Sequence, residues 1–86
     1  MPEISRFFGI IIRMYFDDHN PPHFHAIYGS EEILLSIDPI EILEGKMKRR
    51  AVSMVIERAA VHQQELKRNW ELLHGNGPAE KIEPLD

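Results

Sequence analysis

No cysteine occurs in the 86 residues, which excludes a disulfide scaffold, thiolate zinc ligation and thiol nucleophiles together. Long apolar runs are missing as well. The longest nearly uninterrupted one, Phe7 to Ile12, is about a third of what a bilayer-spanning helix needs, so no membrane crossing is expected. An acid, Glu3, stands where a secretory leader begins with positive charge, and the expectation is a cytoplasmic protein. An excess of positive charge is also lacking. The net charge of -4 argues against a general binder of nucleic acid or anionic membranes, while leaving a local basic patch open. The chain has no internal repeat, no glycine-rich phosphate loop, no serine-triad signature and no H-E-x-x-H helix.

What is present fits one small domain. Apolar residues make up 43% and charged residues 28%, an ordinary globular balance rather than a disordered one. A chain of this size buries roughly 60–65% of its unfolded surface, enough for one modest core. Residues 1–75 are read as a single α+β domain and 76–86 as a polar C-terminal tail.

The run from Phe7 to Phe16 is rich in β-branched and aromatic residues on both faces and reads as one central strand. Asp17 to Pro22 makes a turn, since two prolines remove two backbone donors. His23 to Tyr28 resumes as a strand closed by Gly29-Ser30, and Glu31 to Ile37 is a third strand, broken at Asp38-Pro39. Ile40 to Glu44 stands as a fourth candidate, ending at Gly45. From about Arg50 the period changes: Val52, Ile56, Ala59, Gln63, Leu66, Trp70 and Leu73 recur at spacings of four and three, with Val55 on the same side. This is one long amphipathic helix, stopped by Gly75-Asn76-Gly77-Pro78. The expected fold is three or four antiparallel strands with one long C-terminal helix packed on one face. The other face is then left uncovered, and a second chain is expected to cover it.

Three of the five histidines, His19, His23 and His25, fall within seven residues. On a strand, His23 and His25 project to one side about 6.6 Å apart, close enough to converge on one ion. Phe24 points oppositely, toward a core. His19 lies across the Pro21-Pro22 turn as a third candidate ligand, with Asp17 and Asp18 supplying oxygens or orienting imidazoles. Nitrogen and oxygen without sulfur suit zinc, manganese, iron or nickel. On the helix, Arg58, His62, Glu65 and Asn69 form a polar stripe beside the apolar one, so Asp18, His62 and Glu65 are candidate acids, bases or ligands for metal-assisted hydrolysis. The alternative is structural: the histidines hold the Pro-Pro turn by hydrogen bonds, Glu65 pairs with Arg68, and His74 caps the last helical turn.

Lys46, Lys48, Arg49 and Arg50 stand immediately before the helix, against its macrodipole and without a Ser, Thr, Asp or Asn cap. A phosphate or RNA backbone would satisfy that N-terminus; Glu41 and Glu44 as counter-charges would serve the same end. Trp70 and Phe24 are read as core anchors, and Met54, Val61 and Leu72 as a second, smaller apolar contact.

The segment from Pro2 to Phe16 with Asp18-His19-Asn20-Pro21-Pro22-His23-Phe24-His25-Ala26 resembles a small bacterial family, domain of unknown function 4160. His62-Gln63-Gln64-Glu65-Leu66-Lys67-Arg68-Asn69-Trp70 is similar to its helical H-x-x-E-L-x-x-N-W pattern, and the likeness runs from Met1 to about Leu73. The family pattern has Leu-Pro before the helix where this chain has Met47-Lys48, so no family cap or anion site carries over there. The resemblance implies a short gene beside another small gene, an arrangement like toxin–antitoxin pairs. It therefore implies a cognate small protein partner, and no reaction. The residues themselves leave two further readings: a homo-oligomer, and a zinc- or manganese-dependent nuclease-like hydrolase acting on RNA.

Overall fold

The computed structural model describes residues 3–15 and 19–75. Strands β1 (Glu3–Phe7), β2 (Ile10–Arg13), β3 (His23–Tyr28), β4 (Glu31–Ser36) and β5 (Ile42–Lys46) precede helices α1 (Arg49–Val61) and α2 (Gln63–His74). The strands form one antiparallel sheet in sequence order. The α+β class is as expected; the count is not. The expected strand from Phe7 to Phe16, whose last residue lies outside the described ones, is broken by a hairpin turn, because Phe8 and Gly9 both take positive φ (49° and 79°), the backbone of a type I′ turn. The central strand is accordingly β3. Gly29, φ 62°, opens the second two-residue turn as glycine does in type II′.

The single long helix is also corrected, to two segments meeting at His62 (φ −109°, ψ 23°). Backbone bonds run on across the break, His62 N–H to Arg58 O and Leu66 N–H to His62 O. No proline or glycine causes it; tertiary contacts hold α2 to the loop after β4. Gln63 Nε2 donates to Ile37 O at 2.8 Å, and Lys67 Nζ pairs with Asp38 at 2.7 Å. No described helix is long and apolar enough to cross a membrane. The expected C-terminal tail lies outside the described residues.

One sheet face and the helices enclose the core, in which Phe7, Ile10, Ile12, Phe24, Ala26, Ile33 and Leu35 meet Ala51, Val55, Ala59, Leu66 and Trp70. Phe24 and Trp70 anchor it as expected. The buried helical stripe is rotated from the expected one: Ile56 is 37% exposed, while Arg58 (4%) and Asn69 (1%) are buried. The Arg58 guanidinium lies 5.2 Å from the Phe7 ring centroid, a cation–π placement that suits a buried arginine. Met54 and Leu72 are half-buried and Val61 is 64% exposed.

No described helix covers the opposite face. Cross-strand register places two rows of outer side chains there: Glu3, Arg13, His25, Leu34 and Glu44, then Arg6, Ile11, Ile27, Glu32 and Lys46. Ile11, Ile27 and Leu34 are half-buried by their neighbours. Arg6 pairs with Glu3 at 2.8 Å, and that hydrogen bond, then its charge, pushes the arginine pKa further up. Both edge strands carry an extra residue, Ile4 on β1 and Leu43 on β5, where the register shifts.

Candidate functional site

The histidine pair is placed by β3. Turn geometry pairs His25 with Leu34 and Ile27 with Glu32, so Glu32 lies diagonally beside His25 on the uncovered face. His25 Nδ1 donates to Glu32 Oε2 at 2.9 Å. His23 Nδ1 lies 2.8 Å from Pro21 O. A carbonyl only accepts, so Nδ1 carries a proton. Both imidazoles are thus oriented through Nδ1 by an oxygen acceptor, the arrangement that usually stands behind a metal-ligating histidine. The ring centroids lie 5.4 Å apart.

The rings belong to a longer row. Tyr15 meets His25 edge-on at 4.6 Å, His23 lies 5.5 Å from Trp70, and His74 stacks on Trp70 at 4.0 Å. His74 Nδ1 also donates to Trp70 O at 2.9 Å, in the last turn of α2. Trp70 and Pro21-Pro22 line a groove of about 250 Å³ with Ile37, Lys67 and Asp38.

The remaining candidates are dispersed. His19 is exposed in the loop before Pro21, and Asp18, like Asp17, lies outside the described residues. Among the described residues no three His, Asp or Glu side chains converge on a point where an ion would sit. His62 Nδ1 instead meets Glu65 Oε1 on α2 at 2.5 Å. His62 also lines a small apolar cavity with Phe7, Ile12 and Arg58, on the covered side of the sheet. Strand alternation sets the pair on β3 on the other face, where His23 is nonetheless buried beside Trp70 of α2.

Lys46 ends β5, Lys48 is the N-cap residue of α1, and Arg49 and Arg50 begin it, all exposed. No side chain of the cap residue bonds the helix, and its first turn holds no acid. A carboxylate arrives from elsewhere: the Lys48 backbone N–H donates to Glu31 Oε1 at 3.1 Å. Glu31 follows the β3–β4 turn and supplies the negative charge that the helix N-terminus favours. Sequence reasoning assigned that part to Glu41 and Glu44, and it missed Glu32 as the partner of His25. Counting back from the Gly29-Ser30 turn finds Glu32.

The family described as Domain of unknown function (DUF4160) matches residues 9–71. No curated protein and no solved structure matches the chain.

Proposed function

We propose, on the premise that the chain belongs to the family described as Domain of unknown function (DUF4160), that it is the partner-binding component of a toxin–antitoxin-like two-gene module in the cytoplasm. The observation that carries this reading is the sheet face that no described helix covers, where Ile11, Ile27 and Leu34 form an apolar strip bordered by charged side chains. An antiparallel sheet covered on one side ordinarily turns polar residues to solvent on the other. A strip of aliphatic residues inside a charged rim is the anatomy of a contact surface. The test is co-expression with the neighbouring gene. The two proteins are expected to co-purify, and Ile27→Lys, which sets a cation opposite Glu32, to abolish capture without lowering the melting temperature by more than a few degrees. Failure of the wild type to co-purify under gentle conditions would sink the reading.

A second reading has one observation in its favour, the Nδ1 anchoring of both His23 and His25. A zinc or manganese ion held by His23 and His25 would activate water for hydrolysis. Lys46, Lys48, Arg49 and Arg50 would hold an RNA backbone. Metal content by mass spectrometry, on untagged protein purified without chelator, tests it beside His23→Ala/His25→Ala. Metal at near one equivalent, lost in the variant, supports it; no metal and no binding on titration with zinc or manganese removes it.

A further inference from the structure

We infer that Arg13 and Tyr15 form a binding site for a terminal phosphate group, on the sheet face that no described helix covers. The inference rests on neither reading above, since it needs no second protein and no metal.

The two residues stand at alternate positions where the chain leaves β2. Ile12 and Met14 are buried in the core, while Ile11, Arg13 and Tyr15 are half-buried on the opposite side. Alternate residues of an extended chain lie about 6.6 Å apart on one side, so a guanidinium and a phenol are neighbours there. The next strand braces both. His25 is the cross-strand partner of Arg13, and its ring meets that of Tyr15 edge-on at 4.6 Å. Glu32 in turn holds His25 through Nδ1 at 2.9 Å.

The acids around Arg13 are engaged elsewhere. Glu3, opposite it on β1, accepts from Arg6 through both carboxylate oxygens, and Glu32 accepts from His25. Among the described residues no carboxylate pairs with Arg13, and its Nε is buried without a hydrogen bond. A half-buried cation without a counter-charge is unfavourable, and a bound anion offsets that cost. With Nε covered, the two Nη groups are the donors left to meet a ligand.

The donor set selects the anion. A guanidinium fork takes two oxygens side by side, from a carboxylate or a phosphate alike. The Tyr15 hydroxyl donates one hydrogen bond more. A carboxylate or a phosphodiester offers only two unesterified oxygens, which the fork uses up. A terminal phosphate has a third oxygen and satisfies Tyr15 as well.

The test is a titration of the full chain followed in its amide NMR spectrum, at an ionic strength fixed with sodium chloride. Chelator is included, so that no phosphate arrives on a metal ion. Inorganic phosphate and methyl phosphate are expected to give saturable shifts at Arg13 and Tyr15, with dissociation constants of about 1 mM. Dimethyl phosphate and acetate should bind about tenfold more weakly, for want of the third oxygen. Tyr15→Phe keeps the ring against His25 and removes only the donor. It should weaken inorganic phosphate about tenfold and leave acetate and the melting temperature unchanged. Arg13→Gln should abolish saturation with every anion. Binding of both inorganic and methyl phosphate would make the ligand a monoester's terminal group; binding of inorganic phosphate alone would make it the free anion. A wild type without saturable shifts, or with shifts confined to Lys46, Lys48, Arg49 and Arg50, overturns the inference. So does acetate binding as tightly as phosphate, or a Tyr15→Phe variant that binds phosphate as the wild type does.

Discussion

Glu31 Oε1 accepts a hydrogen bond of 3.1 Å from the backbone N–H of Lys48, so the turn between the third and fourth strands closes the N-terminus of α1. Residues seventeen apart in sequence thereby do what a cap residue does locally. Replacing Glu31 with alanine removes both the acceptor and the favourable charge at the dipole's positive end. A loss of about 1 kcal/mol is expected in urea denaturation. A variant indistinguishable from wild type would show that this contact contributes nothing to the helix start.

Phe8 holds φ 49° in the first hairpin turn while 64% exposed. An aromatic side chain in that region is strained, and asparagine before glycine is the preferred pair for this turn. Phe8→Asn is expected to stabilise the domain by about 1 kcal/mol in thermal unfolding. A lower melting temperature would mean that the edge contact of Phe8 with the Phe7 ring, centroids 6.5 Å apart, outweighs the strain.

The glycines of the third strand's turn and of the fifth strand answer differently to one methyl group. At Gly45, φ 92°, an added Cβ would stand 2.2 Å from the Glu32 carbonyl oxygen. At Gly29, φ 62°, it would meet nothing within 4 Å. Gly29→Ala is expected to cost about 1–2 kcal/mol, from backbone conformation alone. Gly45→Ala should cost clearly more, since the overlap adds to strain of about 1–3 kcal/mol. Parallel denaturation of the two variants checks the order; equal losses would refute the close approach of β5 to β4.

His23 and His25 also separate on truncation. His23 is 9% exposed and packed beside Trp70, so His23→Ala is expected to cost about 1–3 kcal/mol through the lost hydrogen bond and ring contact. His25 bonds a carboxylate that is 47% exposed, while its own side chain is 12% exposed beside Tyr15, and His25→Ala should cost the lesser amount, about 1 kcal/mol. Chemical denaturation of each single variant settles the contrast. The reverse order would make His25 the structural member of the pair.

The class of fold was legible because two periods, two and then three to four, divide the chain near Arg50. The hairpin within residues 3–13 was not, since Phe8-Gly9 lacks the Asn or Asp that marks such a turn and sits in an apolar run. The helix break was hidden for a related reason: His62 disrupts no local rule, and the contacts of Gln63 and Lys67 with the loop after β4 join residues far apart in sequence. Arg58 and Asn69 were read as a polar edge by residue type, although their spacing from Val55 and Leu66 already put them on the buried side. Of the candidate site, the shared face of His23 and His25 follows from alternation along a strand. Their anchors at Pro21 and Glu32 lie only two and seven residues away, whereas the contact of His23 with Trp70 depends on how β3 and α2 meet.

The extra residues Ile4 and Leu43 stand on the two outermost strands. A straight, unbroken edge is an open template: each added strand exposes another edge, and growth has no natural end. A kinked edge with an unpaired residue offers the next strand no continuous ladder. With both borders interrupted in this way, fibrils built by lateral addition are opposed at each end. Concentrating the protein should therefore not feed growth by strand addition at either border.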